Sequence, residues 1–274
     1  MNLTKKTQIY AIPYYLWIGI FVIAPLLLLL YRSLFNVSDE LTLANYVNYF
    51  TSKNYLLMTL SSVFYAGLVT LITFIFAYPM AYGLTKLKNK QFWILLVILP
   101  TWINLLLKIY AFIGILSKSG PVNQFLMWIG LQPQQLLFTN LAFLIVAAYI
   151  EIPFMLIPIY NSINEIPQSL YQASLDLGAN QWTTLRRIVL PLSMRGVRSG
   201  VQAVFIPSLS LFMLTRLIGG NRVITLGTAV EQHFLVTQNL GMGATIGVVL
   251  MLAMFLIMFL TRQRQKGGAS HATK

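Results

Sequence analysis

Apolar residues along this chain come in long blocks, not in alternation. Six blocks stand out, at about residues 10–31, 57–85, 92–116, 137–160, 198–219 and 243–261. Each can cross the ~30 Å hydrocarbon layer of a bilayer, which takes about 20 helical residues. The first block follows Lys5 and Lys6 and so imitates a secretory leader. Its apolar run, 9–31, outlasts the roughly 7–15 residues of a leader core, and no small-x-small cleavage pattern follows. It therefore predicts a retained first helix. Pro25, Pro79, Pro100, Pro153, Pro158 and Pro207 fall inside blocks. Membrane helices tolerate proline where neighbours satisfy the freed carbonyls, so kinks are predicted there.

One polar interruption, residues 161–199, differs from the rest because it has helical periodicity of its own. Pro167 fits the first turn of a helix. Leu170, Ala173, Ser174 and Leu177 follow on one face. Gly178 sits where a left-handed cap would end that helix. Asn180 can cap a second helix, whose apolar face is Trp182, Leu185, Ile188 and Val189, beside Arg186 and Arg187. Pro191 is predicted to stop or bend the chain before the next block. The pattern fits a connector lying on the membrane surface, and equally an elbow that docks a cytosolic partner. The interruptions at 36–56, 117–136 and 219–242 are too short for a separate domain. Residues 1–266 are expected to form a single transmembrane domain, and the tail 267–274, GGASHATK, to be disordered on the cytoplasmic side.

Composition agrees. The chain is 57% hydrophobic and 9% charged, whereas a soluble domain carries about 25% charged residues. Lipid must be the solvent for much of this surface. The net charge of +13 is spread over loop ends and forms no single run, which argues for membrane orientation and against nucleic acid. With the N-terminus in the cytoplasm, that side holds Lys5, Lys6, Lys86, Lys88, Lys90, Arg186, Arg187, Arg195, Arg198, Arg262, Arg264, Lys266 and Lys274. The outer side holds only Arg32, Lys53, Lys118 and Arg222. This positive-inside bias puts both termini and the 161–197 loop in the cytoplasm. There is no cysteine, which excludes disulfides, thiolate metal sites and cysteine nucleophiles. Two histidines and six carboxylates give no basis for a metal site.

The segment Gln172-Ala173-Ser174, three residues, Gly178-Ala179, and then Ile188-x-Leu190-Pro191 resembles the coupling loop of ATP-binding-cassette (ABC) importer permeases. That family's pattern is Glu-Ala-Ala, three residues, Gly, nine residues, Ile-x-Leu-Pro. Gln172 stands here for the glutamate, Ser174 for the second alanine, and Leu185 where phenylalanine is usual. LPTWINLLLKIYAFIGIL (99–116), YIEIPFMLIPIYNSI (149–163) and LIGGNRVITLGTAVEQHFL (217–235) are similar to the B-type permeases of the spermidine/putrescine branch, with a polar kink near Pro100 and Pro153. The resemblance implies an all-α integral membrane protein with six transmembrane helices and a cytoplasmic helix-glycine-helix coupling loop, as in type I importers. It implies a bacterial inner (plasma) membrane location and half of a polyamine path shared with a second homologous permease. An extracytoplasmic polyamine-binding receptor would deliver substrate, and a cytosolic ATPase homodimer would contact Gln172, Ala173, Ser174, Gly178, Ala179, Leu185, Ile188, Leu190 and Pro191. The chain has no G-x-x-x-x-G-K-[ST] phosphate loop. It is expected to be no enzyme and to bind no cofactor, with ATP and Mg on the ATPase.

Ionisable residues inside spans are candidate sites because burying them costs free energy. Glu151 is the only acid in any block. It is a natural contact for an ammonium chain, but it also fits an ion pair with Lys108, or an acid held neutral by burial. Lys108 is expected to brace the bundle, and Arg216 to snorkel to the interface or grip the receptor. Trp102 and Tyr110 could face a cavity or simply lipid. Asn104, Asn161 and Gln202 could bond between helices. Alternatives are a permease for another cation or an oxyanion, and a proton-coupled secondary transporter centred on Glu151. The latter would need inverted repeats, and blocks 1–3 and 4–6 share no motif.

Overall fold

The computed structural model describes residues 3–220 and 222–261. The 267–274 tail and the cations Arg262, Arg264, Lys266 and Lys274 lie outside the described residues. Within them the regular structure is helical, apart from one isolated antiparallel bridge between Phe35 and Leu41. Five stretches are long and apolar enough to cross a membrane: Ala11–Ser33, Lys53–Leu84, Leu105–Trp128, Asn140–Asn164 and Leu240–Thr261.

The first stretch is α1 (Leu3–Ile18), a π turn (Gly19–Ile23) and α2 (Ala24–Ser33). After α3 (Ala44–Thr51) comes α4 (Lys53–Leu84), which runs unbroken past Pro79. The third expected span is interrupted. α5 (Lys90–Ile98) passes into a 3-10 turn (Leu99–Trp102), the backbone extends at Ile103, and α6 (Leu105–Leu116) starts afresh. Pro100 has no N–H to continue the α-ladder. Asn104, expected to bond between helices, instead caps α6, its Oδ1 accepting from Leu106 N at 2.8 Å. α7 (Pro121–Trp128) leads to α8 (Asn140–Asn164), continuous through Pro153 and Pro158.

The fifth expected span is also redrawn. α9 (Gln168–Asp176) is followed by α10 (Gln181–Thr184), a π turn (Leu185–Val189) and α11 (Leu190–Ser208). Of the two outcomes expected at Pro191, a stop is not seen, since the helix continues through it after a π turn. Leu190 N–H bonds back five residues to Leu185 O, and this wide turn takes up the register that the proline ring would otherwise clash with. The same pairing occurs at Pro25, where the π turn ends two residues earlier and Ala24 N–H bonds Gly19 O. The helix ends at Ser208 rather than near 219. Ser210 N and Oγ both donate to Pro207 O, closing the turn. α12 (Phe212–Leu217), α13 (Leu226–Glu231), a third π turn (Gln232–Val236) and α14 (Leu240–Thr261) complete the chain.

α8 is the hub, packed against α4 on one side and α11 on the other. Ala66, Val69, Ala77 and Ala81 of α4 and Val146 and Ala147 of α8 are fully buried. Small side chains allow the close backbone approach that dispersion requires in lipid, where burial gives no hydrophobic gain. Gly196 and Gly200, four apart on α11, bring that helix onto α8. A Cβ at Gly200 would stand 2.7 Å from Met155 Sδ, and one at Gly196 would meet Pro158 O and Ser162 Cβ. Polar links join the helices further. Tyr78 OH and Ser193 Oγ meet at 2.9 Å, and Gln202 Nε2 donates to Thr261 Oγ1. By contrast, residues 11–32 leave most of their surface exposed, and α2 packs against α14.

Candidate functional site

The elbow is built by two terminal devices. At the end of α9, Gly178 N–H bonds Leu175 O at 2.8 Å and Ala179 N–H bonds Ser174 O at 3.0 Å, the paired bonds of a Schellman cap. Gly178 takes φ +80, a left-handed conformation that glycine adopts without a Cβ penalty. At the start of α10, Asn180 Oδ1 accepts from Thr183 N at 2.8 Å. Pro167 is the residue before α9, one position earlier than the first-turn place expected of it.

Inside the bend, Ser174 Oγ meets Thr184 Oγ1 at 2.7 Å, and both residues are buried. This corrects the face drawn from periodicity. Of Leu170, Ala173, Ser174 and Leu177, only Ser174 points inward. The apolar residues point away from the protein, with Leu177 88% and Trp182 68% exposed on either side of Gly178. Gln172 and Ala173 are also exposed, as is Pro191, whereas Ala179, Leu185, Ile188 and Leu190 are half-buried. Val189 is fully buried, and Leu185 and Leu190 pack against the main core. Tyr171 of α9 packs there too, and burial pushes its phenol pKa up. Thr184 escaped the sequence reading because a threonine in a polar loop gives no signal until its partner is placed.

Glu151 lies in the most buried helix and is only 4% exposed. Its Oε2 has no hydrogen-bond partner among the described residues, an exception to the rule that buried polar atoms are paired. The alternative of a direct ion pair with Lys108 is not seen among the described residues. Among the described residues the salt bridges are Arg32–Asp39 at 3.0 Å and Arg216–Glu231 at 3.1 Å. Lys108 is half-buried on α6. Arg216 is held by Glu231 of α13, so the outer segment 219–242 supplies its partner. Trp102 and Tyr110 are exposed, 75% and 60%, whereas Glu151 is buried. Two cavities open on the surface. One, of about 680 Å³, lies between α11 and α14 beside Arg198, Gln202 and Phe255. The other adjoins the base of α9.

The segment 219–242 carries polar contacts that its sequence did not signal. Leu226 N donates to Ser62 Oγ at 2.7 Å in a buried position, which pins α13 to α4. His233 Nε2 lies 2.9 Å from Tyr55 OH, and its Nδ1 lies 3.2 Å from Thr237 Oγ1.

The described residues thus form a helical bundle with a capped elbow and a buried acid. The chain belongs to the binding-protein-dependent transport system inner membrane component family, which matches residues 7–266. It is a permease subunit of an ABC importer. Among its relatives is the spermidine/putrescine transport system permease protein PotB of Haemophilus influenzae, 31% identical over 260 residues, 91% of each chain. PotB of Escherichia coli is 33% identical over 252 residues, 88% of this chain and 91% of that one. The inner membrane ABC transporter permease protein YdcU of Escherichia coli is 34% identical over 229 residues, 74% of this chain and 72% of that one. The fold is similar to a chain of a bacterial alginate ABC transporter complexed with its pentasaccharide-bound periplasmic protein, with TM-score 0.80, 20% identity and 94% of both chains covered. It is less similar to one of the MetNI methionine ABC transporter, with TM-score 0.59, 16% identity, and 77% of this chain and 96% of that one covered.

Proposed function

We propose that this chain is the B-type permease of a spermidine/putrescine importer. Six crossings place both termini and the elbow in the cytoplasm, with residues 1–266 as one membrane domain. The interrupted α5–α6 stretch takes in the third of the five apolar stretches and counts as one crossing, and α11 provides the sixth. A second homologous permease completes the path, and the unpartnered flank of α1 and α2 leaves room for it. The elbow, residues 167–191, seats in a cytosolic ATPase homodimer that holds ATP and Mg, and this chain hydrolyses nothing. An extracytoplasmic receptor delivers the polyamine.

The observation that carries the coupling role is the outward display of Leu177 and Trp182 about the rigid Gly178 cap. Large apolar side chains on a polar loop are a surface for a protein partner. The polyamine assignment is supported by the likeness to PotB over about nine-tenths of the chain. Glu151 then offers its unpartnered oxygen to a passing ammonium group, with Trp102 and Tyr110 lining the path once the second permease closes over them. Glu151 has access to the substrate only when α4, α8 and α11 part, an interface-driven switch between two bundle arrangements.

The test is radiolabelled spermidine uptake in cells expressing the transporter with and without this chain. Uptake that depends on the chain and is competed by putrescine but not by sulfate is expected. Competition by sulfate alone would reassign the substrate as an oxyanion. Uptake surviving loss of the ATPase would make it a secondary carrier.

A further inference from the structure

The turn between α4 and α5 carries Lys86, Lys88 and Lys90 where one apolar helix ends and another begins. Two of these lysines, Lys86 and Lys90, line a cavity of about 420 Å³. Its other walls include Tyr82 of α4, Asn164 at the end of α8, and Gln168 and Tyr171 of α9. The lysines are held in place by neutral groups. Lys86 Nζ stands 4.2 Å from the centre of the Tyr82 ring, and Lys90 Nζ donates to Asn164 Oδ1 at 3.2 Å. No carboxylate lines the cavity. None of the three lysines takes part in a described salt bridge, and neither does Glu165, which lies in sequence between the lining residues Asn164 and Ile166. The two ammonium groups are thus positioned without being neutralised. Gln168 supplies an amide donor. Burial keeps the Tyr171 phenol protonated, so that it too can donate.

We propose that this notch binds the phosphate of an anionic phospholipid headgroup and so ties the α4–α5 turn to the base of the elbow. Two cations and neutral donors with no counter-anion, set at a helix end, are the complement of such a headgroup. Free phosphate shares that chemistry. The lipid is favoured because Phe92 and Trp93, two and three residues beyond Lys90, expose apolar rings along which acyl chains can lie. Binding here is independent of what the elbow docks and of what the transporter carries.

The experiment uses the full chain in nanodiscs of mixed phosphatidylglycerol and phosphatidylcholine, with retained lipid counted by native mass spectrometry. Wild type is expected to retain phosphatidylglycerol in preference. Lys86→Gln/Lys90→Gln should weaken that retention roughly thirty-fold, taking about 1 kcal/mol per cation at the surface and about 1.4 kcal/mol per tenfold. Lys86→Arg/Lys90→Arg, which keeps the charge, should preserve it and shows that the site tolerates substitution. The outer pair Lys53→Gln/Lys118→Gln should leave it unchanged. No preference in wild type, or an equal loss from the outer pair, overturns the proposal. Displacement of the lipid by inorganic phosphate alone would assign the notch to a soluble anion and overturn the lipid as its source.

Discussion

Ser174 and Thr184 sit on opposite arms of the elbow, ten residues apart, and share a buried hydrogen bond of 2.7 Å. Ser174 Oγ also donates to Tyr171 O at 3.1 Å. A serine hydroxyl has one proton, so Thr184 must be the donor in the bond between them. The two arms are thereby fixed at one angle. Thr184→Val removes the donor at similar volume and leaves Ser174 its bond to Tyr171. It should cost about 1 kcal/mol, read as a lower Tm of the purified chain, and should raise the ATP hydrolysed per spermidine imported. An unchanged stoichiometry would show that the angle is not set by this pair.

Gly178 is required for its backbone and not for space, since a Cβ there would meet nothing within 4 Å. Substitutions should therefore rank by left-handed tolerance: Asn mildest, Ala costing about 1–2 kcal/mol, Val worst. Tm and uptake measured across the series should fall in that order. A series ordered by side-chain volume instead would point to contact with the partner as the constraint.

Gly196 and Gly200 make the opposite demand. Gly196→Ala drives a methyl into the backbone and Cβ atoms of α8, whereas Gly200→Ala first meets the flexible Met155 thioether. Both should destabilise within the roughly 1–3 kcal/mol of overpacking, Gly196→Ala the more. Gly67→Ala, with nothing within 4 Å, should be neutral. Chemical unfolding of the three variants in one detergent checks the order.

Glu151→Gln separates a carrier role from a structural one. Losing the charge should raise the KM for spermidine roughly tenfold or more, as expected for a charge-assisted contact. Stability should hold or improve, because the amide removes the cost of burying a carboxylate charge that has no direct counter-ion. A fall in Tm with uptake intact would mark Glu151 as a bundle brace.

The outer junction should respond to pH. Burial pushes the His233 pKa below its ordinary 6.5, so the folded state holds the ring neutral while the unfolded chain takes up a proton. Stability from this group is complete above 6.5 and declines as pH falls from there towards the lowered folded value. Thermal scans from about pH 8 to about pH 5 should show that decline, and His233→Gln should flatten it. A slope that survives the substitution would place the titrating group elsewhere.

Most of the apolar blocks were legible because a helix that faces lipid must carry apolar side chains there, whereas α11, with Arg195, Arg198 and Gln202 along it, gave only a partial block. Gly178 and Asn180 were legible because caps have specific residue requirements. The facing of α9 was not. Periodicity shows that Leu170 and Leu177 share a side, but not that the protein lies opposite. Near a membrane, an apolar side has lipid and partner proteins as rivals to the core. The rule that proline ends helices failed at Pro191 because a π turn just before it absorbs the misfit, and nothing in single-residue preference signals that turn. The solitude of Glu151 in its block marked it as a candidate. Its lack of a direct Lys108 contact depends on how α6 and α8 are set against each other, which depends on the interruption at Pro100–Asn104.

The unbroken run from Gln181 to Ser208 has a mechanical corollary. At 1.5 Å per residue it is a rod about 40 Å long. Tilting its Trp182 end by about five degrees sweeps the Ser208 end through roughly 3–4 Å, comparable to the width of a methylene chain. Motion imposed on the elbow would thus be carried through the π turn at Leu185–Val189 and magnified along α11 towards Ser208.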